Sequence, residues 1–150
     1  MGSTLSYLIY HFVYSSTKNR ENLVHSFEEE LYKYTTGIIA AEGGSLITIG
    51  GMPDDVHSAL KLLPRHRFSE IIQKIKGNAS KWINENRKTV GRFSWQAGYG
   101  AFTVSQSQLE HLIQYINNQK EHHKRYSFQE EYRALLKKHS VEYDERYLWD

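Results

Sequence analysis

A tyrosine and a glutamine that lie one helical turn apart are the residues of this chain best suited to chemistry. Tyr115 and Gln119 are separated by four positions in the segment QYINNQ. Residues four apart on a helix lie on the same face. A phenol can act as a nucleophile, and an amide oxygen is a ligand for hard metal ions. The spacing therefore predicts that one helix brings a nucleophile and a metal ligand together.

A second pair of candidate metal ligands lies upstream, in the tripeptide Asp55-Val56-His57. On a strand, positions 55 and 57 point to the same side, so both side chains could hold one ion. Carboxylate and imidazole together suit magnesium or manganese. Taken alone, the tripeptide is better explained by a solvated pair of aspartates and a half-buried histidine. Its interpretation as a metal site depends on the tyrosine helix.

A tyrosine nucleophile beside a metal ion is suited to breaking a phosphodiester bond. The phenol has a pKa near 10 and is mostly protonated at neutral pH, whereas a divalent ion polarises the phosphate and stabilises the developing charge. A phosphotyrosine bond keeps the energy of the broken linkage, so the strand can be rejoined without ATP. The alternative is that Tyr115, one of 11 tyrosines, merely borders its helix.

Two basic segments could contact the phosphates of a nucleic acid. The first contains Lys18 and Arg20, and the second contains Lys124 and Arg125, shortly after Gln119. Cationic side chains bind phosphate, and nearby aromatic rings offer surfaces on which unpaired bases stack. The alternative is an ordinary solvated surface. The net charge of +2 neither establishes nor excludes a nucleic-acid partner.

Length and composition are those of a globular protein with one domain, residues 1–150. Hydrophobic residues make up 39% of the chain and charged residues 24%, and cysteine is absent. The chain therefore lacks disulfides and thiolate metal sites. It has no apolar run of the 18 or more residues that a membrane span needs, and its first residues do not resemble a signal peptide. We expect a cytoplasmic protein without a membrane partner.

Hydrophobic periodicity predicts an α+β fold. The pattern indicates strands over 5–14, 45–50, 55–63 and 92–104, and helices over 21–41 and 68–86, followed by the Tyr115 helix and a short helix from 128 to about 138. The order β-α-β-β-α-β is that of a ferredoxin-like (RRM-like) antiparallel sheet with helices on one face. The nucleophile helix follows this unit.

Local signals refine these boundaries. The segment from Gly50 to Asp54 has the composition of a tight turn. The pairs Ser105/Gln108 and Ser127/Glu130 match the capping box that begins a helix. Aromatic residues in the last ten positions predict that the C-terminal tail docks against the rest of the protein.

The chain as a whole resembles the single-tyrosine transposases of the HUH class, which belong to small insertion sequences that move as single-stranded DNA. The resemblance runs from about Tyr7 to Trp149. It includes TKNR before the first helix, GMPD before the expected metal strand, WQAGY, YINNQ, FQEEY and the tail YDERYLW. Each piece is short, but their order and spacing are specific.

The resemblance implies a bacterial or archaeal homodimer that binds hairpins in single-stranded DNA. Such proteins cleave and rejoin strands through a 5′-phosphotyrosine, using Mg²⁺ or Mn²⁺. Tyr115 corresponds to the nucleophile, and His57 and Gln119 correspond to metal ligands. The family typically combines the HUH strand of one subunit with the tyrosine helix of the other, which implies cross-subunit active sites here.

Asp55 departs from the pattern of this family, because the first histidine of the HUH pair falls at this position. An aspartate can supply an oxygen ligand and favours a hard cation. The alternative is a catalytically impaired protein that binds hairpin DNA without cleaving it. A third alternative is a ferredoxin-like interaction domain in which the motifs are coincidental.

Overall fold

The structure is a computed structural model that describes residues 2–16, 25–122 and 125–149. The strands are β1 (Leu8–Ser15), β2 (Ser45–Met52), β3 (Asp55–Leu62) and β4 (Gly100–Val104). The helices are α1 (His25–Ala41), α2 (Phe68–Glu85), α3 (Leu109–Asn117), α4 (Gln119–His122) and α5 (Phe128–Lys138). The order confirms the predicted β-α-β-β-α-β unit followed by helices. Among the described residues, no helix is both long and apolar enough to span a membrane.

The four strands form one antiparallel sheet in the order β2-β3-β1-β4. This is the strand order of the ferredoxin-like plan, which the sequence predicts. Strands β3 and β1 are central, and their register pairs His57 with Val13 and Ala59 with His11. The predicted metal ligands therefore lie on a central strand, which has neighbours on both sides.

Helices α1 and α2 cover one face of the sheet, as the pattern predicts. Apolar residues recur along α2 at helical spacing and form one buried stripe, consisting of Ile71, Ile72, Ile75, Ala79 and Ile83. This stripe packs with Phe12, Tyr14 and Leu60 of the sheet in the main core.

Helices α3 and α5 cover the opposite face. Successive side chains of a strand point to opposite faces, so His11 and Val13 on β1 share this second face with the odd-numbered residues of β3. Val13 packs with apolar residues of α5, and Ala59 packs with Leu112 and Ile116 of α3. Asp55 and His57 are therefore enclosed between the sheet and these two helices.

The segment expected to form a tight turn from Gly50 to Asp54 is mostly strand. Gly50 pairs with His57 and Gly51 pairs with Val56, and only Pro53 and Asp54 form the turn. Gly50 is required by a close approach: a Cβ atom there would lie 2.8 Å from the carbonyl oxygen of Ile116. The missing side chain lets α3 lie directly against the sheet.

The predicted strand over 92–104 is also shorter than expected, because it is regular only in β4. Side chains of α2 bind the carbonyl groups that a longer ladder would need. Lys76 Nζ donates to the carbonyls of Gln96 (2.6 Å) and Gly98 (3.0 Å), and Asn84 Nδ2 donates to that of Phe93 (2.9 Å). Trp95 keeps a single isolated bridge, to Ser16.

The two predicted capping boxes have different outcomes. Ser127 caps α5, because its Oγ accepts a hydrogen bond from the backbone N–H of Glu130. Ser105 does not cap α3. It precedes a short 3₁₀ segment, Gln106–Gln108, and its hydroxyl contacts that of Ser107 at 3.0 Å.

The C-terminal tail docks, as its aromatic residues predict. The ring of Trp149 packs against those of Phe128 and Tyr132 on α5. Its carbonyl accepts a hydrogen bond from Gln96 Nε2 at 2.9 Å. The tail therefore fixes α5 to the loop that precedes β4.

Candidate active site

Three buried side chains from two elements form the centre of the site. Asp55 and His57 project from β3 and are fully buried, and Glu131 of α5 is 3% exposed. One candidate ligand atom from each lies within 4.8 Å of the others. His57 Nε2 lies 2.9 Å from Glu131 Oε1 and 3.6 Å from Asp55 Oδ1. The group offers two carboxylates and one imidazole to a single point.

The predicted nucleophile contacts this group through its hydroxyl. Tyr115, on the last turn of α3, donates a hydrogen bond to Glu131 Oε2. The prediction of a single helix for both residues is wrong, because α3 ends at Asn117 and Gln119 is the first residue of α4. Gln119 nevertheless donates from Nε2 to the same oxygen at 3.2 Å. Glu131 therefore connects the tyrosine and the glutamine to His57.

Burial dominates the electrostatics of the site. It raises the pKa of Asp55 well above the usual value, and the neighbouring charges of Asp54 and Glu131 add to this effect. Burial also raises the pKa of Tyr115, with a further contribution from the Glu131 carboxylate. The phenol is therefore protonated until a neighbouring group takes its proton or a positive charge enters the site.

The donor set of this site fits a divalent cation. Carboxylate oxygens and one imidazole are ligands that magnesium and manganese accept. In addition, the Gln119 amide oxygen is buried and has no hydrogen-bond partner within the described residues, although such groups are normally paired. A cation beside Glu131 would neutralise the clustered carboxylates and give this oxygen a partner.

A second histidine, His11, contacts the Nδ1 side of the His57 ring, and sequence analysis did not single it out. His11 is buried on β1, and one of the two imidazole N–H groups donates across 3.0 Å between His11 Nε2 and His57 Nδ1. Burial, followed by the neighbouring His57, lowers the pKa of His11 well below its usual value. A neutral His11 can therefore fix the orientation of the His57 ring.

Glu131 is the other site residue that sequence analysis missed. The sequence contained a signal for it, because Phe128, Glu131 and Tyr132 are spaced three and four apart and so share a helix face. An acidic residue on an apolar face is seldom fully buried unless it is paired. Its contact with His57, 74 positions away, depends on the tertiary fold.

The structure brings together Tyr115, His57, Gln119 and Asp55 within one chain. The resemblance implies that the strand and the tyrosine helix of one active site come from different protomers, and this cross-subunit arrangement stays a prediction. Of the predicted DNA-binding residues, Arg125 is exposed near the start of α5. The other three, Lys18, Arg20 and Lys124, lie outside the described residues.

Comparison with known sequences shows that this chain is similar to transposases. The sequence model of the family described as "Transposase IS200 like" matches residues 4–119. The chain is also 26% identical over 117 residues to the ISDra2 transposase TnpA of Deinococcus radiodurans, covering 75% of this chain and 84% of the relative.

Two solved structures share the fold. A crystal structure described as a transposase of Deinococcus radiodurans R1 superposes with a TM-score of 0.64 and 25% identity, covering 79% of this chain and 95% of the other. A REP-associated tyrosine transposase bound to a REP hairpin superposes with a TM-score of 0.62. It is 15% identical, and the match covers 82% of this chain and 74% of the other.

Proposed function

Because this chain belongs to the family of IS200-like transposases, we propose that it cleaves and rejoins single-stranded DNA through a covalent bond to Tyr115. The observation that carries this proposal is the contact between the Tyr115 hydroxyl and Glu131, at the edge of the Asp55-His57-Glu131 group. A nucleophile and a candidate metal site thus lie next to each other in one protein interior.

Glu131 is positioned to take the proton that the nucleophile must lose. As the Tyr115 oxygen forms its bond to phosphorus, its proton passes to Glu131 Oε2, which already accepts the hydrogen bond. The bond from phosphorus to the 3′ oxygen breaks, and this oxygen takes a proton from water and leaves as a 3′-hydroxyl. The products are a 5′-phosphotyrosine and a free 3′ end, and the reverse reaction rejoins a strand.

Asp55, His57 and Glu131, together with the Gln119 amide oxygen, would hold Mg²⁺ or Mn²⁺. When bound, the ion would polarise the phosphate and stabilise the charge that develops on it. An oxygen donor at position 55 in place of an imidazole favours such hard cations. On this proposal, Asp55 retains a ligand function.

The proposed substrate is a single strand with hairpin ends, and the proposed assembly is a homodimer. The structural relative bound to a REP hairpin supports the first part. The cationic residues Lys18, Arg20, Lys124 and Arg125 would bind phosphates, so hairpin binding should weaken as salt increases.

A cleavage assay tests the proposal directly. The wild-type protein, incubated with Mn²⁺ or Mg²⁺ and single-stranded hairpin DNA from the flanks of its own gene, should form a covalent protein–DNA adduct. Tyr115→Phe should form none, because it lacks the attacking oxygen. The matched control is Tyr147→Phe, which removes a hydroxyl from a 65% exposed tyrosine and should react normally. An adduct that persists in Tyr115→Phe would place the nucleophile elsewhere.

Asp55 favours one alternative, a hairpin-binding protein that does not cleave. This alternative predicts salt-sensitive binding of hairpin DNA and no adduct with any divalent metal. Asp55→His would then restore cleavage by completing the histidine pair. If the wild-type protein forms the adduct, the alternative is excluded.

A further inference from the structure

A cavity of about 530 Å³ is lined both by the nucleophile, Tyr115, and by His11, the histidine that contacts His57. It is enclosed by the end of β4, by α3 and by the last turns of α5. Tyr115 contributes to its wall, and the hydroxyl of the same side chain contacts Glu131. A phosphodiester within reach of the tyrosine oxygen is therefore next to this cavity.

We propose that this cavity binds one unpaired nucleotide of the DNA strand, the nucleotide that adjoins the phosphodiester attacked by Tyr115. The inference rests on the proposed function and adds a substrate subsite to it. A strand held in this way would place its phosphorus in line with the phenol before reaction, and correct placement accounts for a large part of catalysis by such enzymes.

The walls of the cavity suit a nucleobase. Leu112 of α3 and Leu135 of α5 provide apolar surface. His139 adds an aromatic ring that is held in place, since it stacks on Phe102 with ring centroids 4.4 Å apart and planes inclined by 17°. Unpaired bases bind proteins by stacking on rings of this kind. The volume lies within the roughly 300–1,000 Å³ of typical small-ligand sites.

Charge also favours this side of Tyr115 for the DNA strand. Lys138 lines the cavity and forms no ion pair with any described residue, so its ammonium group is available to a phosphate. Another cavity, beside Gln119, is lined by Glu28 and Glu29. Two carboxylates there would repel a phosphate backbone.

Photo-crosslinking tests the subsite without requiring cleavage. Tyr115→Phe protein is mixed with hairpin-bearing single strands from the flanks of its own gene, each with 4-thiothymidine at one position. After irradiation, peptides linked to DNA are identified by mass spectrometry. We expect one strand position to crosslink to the segment from Leu135 to His139, at the end of α5. An indole at position 135 should fill the cavity, so Leu135→Trp should lower this crosslink at least about tenfold, in keeping with the strength of base stacking.

The matched control is Ala134→Trp, which adds the same side chain to an exposed neighbouring position of α5 that does not line the cavity. It should crosslink as strongly as the parent protein. Circular dichroism of both tryptophan variants confirms that a loss of crosslinking does not result from unfolding. If Leu135→Trp is unfolded, Lys138→Gln provides the second test and should lower the crosslink as well.

The outcomes separate this inference from the proposed function. Crosslinks at α5, with no cleavage by the wild-type protein, would support the subsite and overturn the proposed enzyme. Cleavage with crosslinks only outside the cavity would leave the enzyme and overturn the subsite, and absence of all DNA binding would overturn both. If Leu135→Trp changed the oligomeric state and left the crosslinks unchanged, a second copy of the chain would be the occupant and the subsite would be wrong.

Discussion

Asp55 adds a carboxylate where the HUH pattern has a histidine, and Glu131 adds a second carboxylate to the same site. Two carboxylates lie within 4.8 Å of one imidazole in a buried space. Burying carboxylates together without a counter-charge is unfavourable, and the raised pKa of Asp55 reflects this. The metal-free site therefore favours a protonated Asp55, and cation binding favours its ionised form.

Removing the charge of Glu131 should weaken metal binding. Glu131→Gln keeps the shape of the side chain and removes one anionic ligand, so we expect the affinity for Mn²⁺ to fall by at least about tenfold. Isothermal titration calorimetry measures this change. Glu130→Gln, which alters the exposed neighbour, should bind Mn²⁺ normally. Equal affinity of Glu131→Gln and the wild-type protein would remove Glu131 from the metal site.

His11 should act on the metal through His57. Binding of an ion to His57 Nε2 requires the proton of that ring to be on Nδ1, which then donates to His11 Nε2. His11→Leu removes this acceptor and should weaken Mn²⁺ binding by about 10-fold to 100-fold. His11→Gln retains an acceptor oxygen and should recover part of the affinity. A purely structural role would give the opposite order, since leucine suits a buried position better.

The sequence predicted those residues of the site whose relation is local. Asp55 and His57 are two apart on a strand, so alternation places that pair on one face. Tyr115 and Gln119 are four apart, and both side chains reach Glu131, although they lie on two helices, α3 and α4, and not on the single helix that periodicity predicts. Glu131 and His11 were missed because their contacts with His57 span 74 and 46 positions. Such contacts depend on how α5 and β1 pack, which periodicity does not specify.

At the level of elements, the close packing of α3 on β2 determines where the nucleophile lies. Gly50→Ala would place a Cβ atom 2.8 Å from the Ile116 carbonyl oxygen and so push α3 away from the sheet. Tyr115 precedes Ile116 by one residue, so we expect adduct formation to fall at least about tenfold, since small misplacements have large effects on catalysis. The protein should remain folded.

The matched control for this prediction is Gly77→Ala in α2. A Cβ atom at Gly77 meets nothing within 4 Å, and alanine is the better helix former by about 1 kcal/mol. Gly77→Ala should therefore leave cleavage unchanged and raise the melting temperature slightly. If both variants cleave normally, the contact between Gly50 and α3 does not position the tyrosine.

Regular elements were predicted from the sequence more accurately than the segments between them. Helix α2 and strand β3 begin and end within about one residue of their predicted limits, because each has a clear apolar period. Residues 92–99 have strand composition, but Lys76 and Asn84 bind their carbonyl groups from outside. These side chains compete with a neighbouring strand for the same carbonyl groups. Such competition depends on the tertiary fold, so local strand propensity does not predict it.

In the molecule as a whole, helices cover both faces of the sheet, and the two faces bury different kinds of side chain. The face toward α1 and α2 holds the large apolar core. The face toward α3 and α5 encloses polar side chains, including two histidines, in addition to smaller apolar clusters. Buried polar groups contribute little to stability unless they are fully paired, so the second face should respond most to metal and to pH.

The stability of the metal-free protein should fall as the pH rises from about 5 to about 8. The folded-state pKa of Asp55 lies well above the usual 3.8, so the native state keeps a proton that the unfolded chain releases above about pH 4. When the native state binds more protons than the unfolded state, the free energy of unfolding decreases with pH. Asp55→Asn has no such proton, so its stability in the presence of a chelator should fall less over the same interval. Urea unfolding at the two pH values measures the difference.

Mn²⁺ favours the ionised carboxylate, so it should stabilise the wild-type protein more at about pH 8 than at about pH 5. A chelated wild-type protein with the same pH profile as Asp55→Asn would show that Asp55 is already ionised without a cation.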